Sequence, residues 1–132
     1  MLNTTLDANS IYQAALGLTF TKEANAQDFK VFFLGFLNIL CQEALPYENS
    51  ARRAAGVPEL DRAPLFTGFG EVVPYEDAIV RVALPYGVAS WFFQDDMDDW
   101  RYKEMRGRFI AALQDAGMAE FGAVEADYGA GC

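Results

Sequence analysis

Hydrophobic residues recur at helical spacing along most of the chain, and the clearest pattern lies in its first half. Between Phe29 and Ala44, apolar side chains follow the i, i+3, i+4, i+7 spacing of one helix face. Val31, Leu34 and Ile39 lie off that face, so this helix is apolar on more than one side. Such a helix is typical of the centre of a bundle, or of a segment shared between a core and a subunit interface.

Capping and breaking residues set the limits of this helix. Asn25 followed by Asp28 resembles a helix start, and Pro46 is expected to end or bend the helix. Residues 50–55 can add a further turn or two before Gly56 stops them.

Three further helices are predicted. A short one covers Asp7 to Leu18, with Asp7 or Asn9 as its cap. Another runs from about Tyr75 to Phe93 with a kink at Pro85, and the last runs from near Asp96 to near Gly117.

Two segments lack a helical period. Residues 56–73 are interrupted by prolines and glycines, and a loop of this length is usually functional or bound to a partner. Phe66 and Phe69 within the loop should pack against something rather than face water, and a short strand can form at Glu71 to Val73. The tail at 117–132, with its isolated Phe121 and Tyr128, is expected to be extended and to need a partner.

These patterns predict a mainly α fold in two parts. Residues 1–116 should form a small helical bundle of about four helices with a long irregular middle loop at 56–73, and residues 117–132 an extended C-terminal tail. The 132 residues suffice for one domain, and 52% hydrophobic content suffices for a core. Aromatic residues make up 14% of the chain, which is rich for its size and indicates that some rings face partner subunits.

The net charge of −9 narrows the function classes. Free-standing nucleic-acid binders and proteins attracted to anionic membranes carry basic surfaces, whereas an acidic wall would let DNA slide past without being gripped. The longest apolar run, Val31 to Leu37, is far shorter than the ~20 residues of a membrane span, so no membrane is expected. The polar N-terminus predicts an intracellular protein, in which Cys41 and Cys132 should be free thiols.

Candidate chemistry centres on Asp95, Asp96, Asp98 and Asp99, which match a D-D-x-x-D motif. Isoprenoid synthases use that spacing to hold magnesium ions against a diphosphate. Helix capping and ion pairing explain the same acids without a metal, because the basic residues that follow can pair with acids one turn away, notably as Asp99–Lys103 and Glu104–Arg108. These basic residues are Arg101, Lys103, Arg106 and Arg108.

Catalysis has little support in the sequence. The chain has no histidine, and its serines lie in no nucleophile motif. We therefore expect no catalytic residue, no metal and no cofactor, and favour a structural protein.

The stretch YEDAIVRVALPYGVA at residues 75–89, the acidic turn at 95–99 and the basic helix ending in RFIAAL at 108–113 resemble one family. They are similar to the head-to-tail connector (adaptor or neck) proteins of tailed double-stranded DNA bacteriophages. The similarity covers about 40 residues, a third of the chain. It implies a homo-oligomeric ring, commonly of twelve copies, that docks under the portal protein, extends the DNA channel and carries the next neck or tail protein. Such a protein resides in the virion neck after assembly in the host cytoplasm, and DNA passes through it without sequence-specific contact.

By the same resemblance, Phe121 and Tyr128 would reach the portal, and Phe66 and Phe69 would meet a neighbouring subunit. The charged residues from Asp95 to Arg108 would line the channel or lie between subunits. Two alternatives stay open: a stand-alone acidic protein-binding module, such as an inhibitor that mimics the charge of DNA, and a magnesium-dependent enzyme that uses the acids at 95–99.

Overall fold

The computed structural model describes the backbone of residues 6–129 and the side chains of residues 6–117 except Glu23. Within this range the chain forms four α-helices: α1 (Ala8–Leu18), α2 (Gln27–Ala55), α3 (Leu84–Asp95) and α4 (Asp99–Gly129). A 3-10 turn at Glu23–Asn25 precedes α2, and a π-helical segment at Ile79–Ala83 precedes α3. The predicted mainly α helical bundle is confirmed.

The central helix α2 is longer than its pattern indicated. Pro46 lies inside it and does not end it, and the turn predicted at 50–55 is its continuation. Pro46 is exposed, whereas Ala44 and Glu48 on either side of it are buried, so packing holds both halves of the helix. Gly56 ends α2 in the left-handed region, with φ of 72°.

The helix predicted from Tyr75 to Phe93 is divided by the π-helical segment. There the N–H of Leu84 donates to the carbonyl of Ile79, five residues back. Pro85 consequently stands in the first turn of α3, where an α-helix does not require the N–H that proline lacks. The wider π turn therefore replaces the expected kink.

The C-terminal end also differs from expectation. Helix α4 begins at Asp99 and continues to Gly129, through the predicted boundary at residue 117 and most of the predicted extended tail. Besides its glycines, this stretch contains alanine, methionine and glutamate, which are good helix formers. The side chains of Phe121 and Tyr128, and the whole of Cys132, lie outside the described residues.

Close contacts between three helices form the core. Phe29 of α2 stacks on Phe92 of α3 with ring centroids 4.1 Å apart. Gly87 of α3 lies so close to α2 and α4 that an added Cβ would come within 2.8 Å of Leu40 and 3.0 Å of Phe109. Cys41 is buried as a free thiol, as predicted, and burial raises its pKa to about 12, which suppresses thiolate reactivity.

Candidate functional site

The middle loop at 56–73 is held against α2 by two asparagines of that helix. The Asn38 amide donates to the carbonyl of Phe66 at 3.2 Å and accepts from the N–H of Phe66 at 2.7 Å. Asn49 does the same with Leu60, at 3.0 and 2.8 Å. Each amide satisfies both backbone groups of a loop residue, which is what a neighbouring strand would do. The loop is thereby ordered without forming a regular element.

A buried ion pair completes this attachment. Arg52 Nε lies 2.7 Å from Glu48 Oε2, and their side chains are only 8% and 0% exposed. The Arg52 guanidinium also donates to the carbonyls of Pro58 at 3.0 Å and Pro74 at 2.8 Å, while Glu48 accepts from the backbone N–H of Glu76 at 2.6 Å. Burial raises the pKa of Glu48, and the hydrogen bonds from Glu76 and Arg52 only partly oppose that effect. The pair joins both ends of the loop to α2.

The predicted strand at Glu71 to Val73 takes the form of one antiparallel bridge, between Asp7 and Val72. The N–H of Ala8 donates to Glu71 O at 3.0 Å, and the N–H of Val73 donates to Leu6 O at 2.9 Å. This contact ties the end of the loop to the start of α1, which Asp7 caps as predicted.

Phe66 and Phe69 pack within their own chain, which differs from the expected contact with a neighbour. Phe66 is buried in the core, and the Phe69 ring meets Tyr12 edge-on at 5.4 Å and lies 5.2 Å from Phe33. Intramolecular packing therefore covers Phe66, whereas Phe69 is only partly buried and its contact with a neighbour stays a prediction. The sequence could not distinguish the two cases, since a loop aromatic can cover its own core or that of a partner.

The acidic stretch forms the tight connection between α3 and α4. Asp95 ends α3, and Asp98 precedes α4, where its carboxylate accepts from the N–H of Arg101 at 3.1 Å. The acids are thus divided between two helices and a turn, whereas a D-D-x-x-D metal site needs them on one helix face. Burial raises the pKa of Asp96, and the negative charges of Asp95 and Asp98 raise it further. Among the side chains described, no group of three or more histidines, cysteines or acids is placed to hold a metal ion.

The basic residues in the first half of α4 form ion pairs with acidic side chains. The predicted pairs Asp99–Lys103 and Glu104–Arg108 are present, at 3.1 and 3.7 Å, and Arg101 lies 3.7 Å from Asp98. Arg106 makes a two-pronged contact with Glu43 of α2, and this hydrogen bonding raises the pKa of Arg106. The basic run therefore matches the ion-pair interpretation better than a free phosphate-binding patch.

Among the exposed apolar side chains of the described residues, two groups are candidates for contact with a partner. On the outer side of α2, Val31, Phe32 and Ile39 are 76%, 58% and 53% exposed, which confirms that the helix is apolar on more than one side. Beside them, Phe36 and Trp91 meet edge-on at 4.6 Å and line an open groove between α2 and α3.

The second surface is at the α3–α4 connection. Met97 is 90% exposed and Trp100 is 70% exposed. Met97 also has a φ of 60°, which is in the left-handed region. The position just after a helix that takes this conformation is usually occupied by glycine. Large apolar side chains exposed in this way are typical of anchors for a partner.

Helix α2 is long and apolar enough to span a membrane by length and composition alone. The same test is passed by core helices of soluble proteins, and the inner face of α2 is covered by the bundle. The expectation that no membrane is involved therefore stays a prediction.

Sequence reasoning missed Asn38, Asn49, Glu48 and Arg52 as the residues that hold the loop. Their signal was present: Glu48 and Arg52 are spaced i, i+4, and the two asparagines lie three helical turns apart. No protein-family model matches the chain, and no curated protein or solved structure is significantly similar to it.

Proposed function

We propose that this protein is a structural subunit of a multi-subunit assembly, and specifically a head-to-tail connector of a tailed bacteriophage. The resemblance of residues 75–113 suggests the family. The observation that carries the proposal is the pair of uncovered apolar surfaces, one on α2 and one at Met97 and Trp100. Within a ring, the Met97 and Trp100 surface can meet a neighbouring subunit, and the α2 surface is open to a further component, because a connector also needs contacts beyond its own ring.

The charge distribution supports the proposed role at a DNA channel. The four basic residues of the first half of α4 are paired with acids, and the chain carries a net charge of −9. These four cations are then engaged by carboxylates of the same chain, whereas DNA affinity comes mainly from cations that neutralise phosphates. DNA would pass such a surface without being held.

Electron microscopy of the full-length protein, alone and mixed with its cognate portal, tests the proposal. We expect rings with a central hole wide enough for a DNA duplex, seated on the portal. The double variant Met97→Ser, Trp100→Ser should reduce ring formation, because it removes the second apolar surface. Leu65→Ser is the matched control, since Leu65 is a 77% exposed apolar residue of the middle loop. A monomer that ignores the portal at high concentration would refute the proposal.

The main alternative is a stand-alone acidic binding module, favoured by the exposed acids Asp95 and Asp96 beside Met97. In that case the protein would capture a basic partner as a monomer and form no ring. The third alternative, a magnesium-dependent enzyme, predicts a saturable change in Trp91 and Trp100 fluorescence on titration with magnesium. The connector proposal predicts no saturable change.

A further inference from the structure

The outer side of α2 carries a continuous apolar strip, which we name the α2 stripe and define as Val31, Phe32, Gly35 and Ile39. All four residues are exposed, and they fall within an arc of about 100° on the helix. The stripe holds no charged residue, although the chain as a whole has a net charge of −9.

No contact within the described part of the chain requires a glycine at position 35. Glycine in a helix interior costs about 1 kcal/mol relative to alanine, so it normally answers a packing need. Gly87 has such a need, because a Cβ there would come within 2.8 Å of Leu40. At Gly35 an added Cβ would meet nothing within 4 Å. A glycine in that position suits the close approach of an element from outside the chain.

The stripe can pair with the same stripe of a second copy when the two helices run antiparallel. Val31 and Phe32 lie four and three residues before Gly35, and Ile39 lies four residues after it. When a second α2 runs antiparallel across Gly35, Val31 and Phe32 of one copy therefore face Ile39 of the other. Asp28 and Gln42, each seven residues from Gly35 and both exposed, then oppose each other, and the amide can donate to the carboxylate.

We propose that the α2 stripe binds the α2 stripe of a second copy of this chain, antiparallel and around a two-fold axis at Gly35. The distribution of charge in a chain with a net charge of −9 favours a second copy of the chain as the partner that binds the stripe. Two copies of so acidic a chain repel each other wherever carboxylates would meet, and the stripe lets them touch without opposing like charges. A basic partner would meet a single acid, Asp28, at one end of this surface, and in the antiparallel dimer that acid faces Gln42 rather than a second carboxylate.

The size of the contact indicates a weak dimer. From Asp28 to Pro46 the stripe and its flanks extend about 27 Å, and a helix is about 10 Å wide, so the two faces together cover on the order of 500 Å². Stable complexes bury roughly 1,200–2,000 Å². We therefore expect association at tens to hundreds of micromolar, which a crowded assembly can reach through high local concentration.

This dimer goes beyond the proposed function. A two-fold contact closes on itself and cannot build a ring, so it would join two subunits or two rings back to back. It forms from purified protein without the portal. Portal binding and the Met97 and Trp100 surface test the connector proposal separately, so failure of the dimer and failure of the connector proposal can be told apart.

Sedimentation equilibrium of the full-length protein from about 10 to 500 µM tests the inference. Wild type should show a monomer–dimer equilibrium. Gly35→Ala should raise the melting temperature through helix propensity and yet weaken the dimer tenfold or more, because its methyl group prevents close approach. Gly107→Ala is the matched control: Gly107 lies in α4, an added Cβ there also meets nothing within 4 Å, and dimerisation should be unchanged. Ile39→Asp should abolish the dimer.

Three results would overturn the inference. The first is a wild-type protein that stays monomeric up to 500 µM, and the second is a Gly35→Ala variant that dimerises as tightly as wild type. The third is cosedimentation of the wild-type monomer with neutral phosphatidylcholine vesicles that is lost in Ile39→Asp, which would assign the stripe to a lipid surface.

Discussion

Replacing Arg52 with methionine tests whether the buried ion pair holds the middle loop in place. Methionine fills much of the same space but provides none of the three contacts of Arg52, with Glu48 and with the carbonyls of Pro58 and Pro74. The Glu48 carboxylate, which is fully buried, would then lack its cation.

Removing one partner of a buried ion pair costs about 3–5 kcal/mol, because an uncompensated charge remains in the interior. Natural domains have unfolding free energies of about 5–15 kcal/mol, so this loss is a large share of the total. At about 3–5 °C per kcal/mol for a chain of this size, the melting temperature should fall by roughly 10–20 °C.

Guanidinium denaturation and thermal unfolding measure the loss, and amide hydrogen exchange locates it. Exchange should accelerate most at the N–H groups of Leu60 and Glu76. Leu60 donates to Asn49, which is next to the ion pair in α2, and Glu76 donates to Glu48 of the pair itself. The matched control is Arg53→Met, because the Arg53–Glu59 pair is about half exposed and such pairs contribute under about 1 kcal/mol.

A double variant, Glu48→Leu with Arg52→Met, separates the charge from the contacts. It should be more stable than Arg52→Met alone, since no isolated charge is left in the interior. If Arg52→Met were no more destabilising than Arg53→Met, the assignment of the ion pair as the attachment of the loop would be wrong.

Three further predictions concern stability. Gly87→Ala should lower the unfolding free energy by about 1–3 kcal/mol despite better helix propensity, because its Cβ overlaps Leu40, and an unchanged melting temperature would contradict the close packing. Met97→Gly should raise the unfolding free energy by about 0.5–1 kcal/mol, since glycine adopts positive φ freely, and a loss of stability would mean that the methionine side chain makes stabilising contacts. Burial raises the pKa of Glu48, so its contribution to stability is present at acidic pH and is lost as pH rises through that pKa. The stability of wild type relative to Glu48→Gln should therefore decline as pH rises above the ordinary glutamate range, and a pH-independent difference in melting temperature would refute this.

The candidate surfaces were predictable only in part. The residues of α2 that lie off its main stripe indicated a second apolar side, and Val31, Phe32 and Ile39 are exposed as that pattern required. The exposure of Met97 was not predictable, because it depends on a left-handed turn where the sequence offers no glycine. The family resemblance implies a neighbour contact for Phe66 and Phe69, whereas contacts with residues distant in sequence bury Phe66 and pack Phe69 at the core.

Sequence alone determined the features that depend on local spacing. The helical class, the cap at Asp7, the stop at Gly56 and the ion pairs within α4 follow from residues three or four positions apart, which a helix brings together whatever the rest of the fold. Only the tertiary structure decided which side of α2 is covered, how Pro85 is accommodated and where the middle loop lies. These depend on contacts between residues distant in sequence, such as Asn38 with Phe66 and Arg52 with Pro74, whose energies arise only when the helices are assembled.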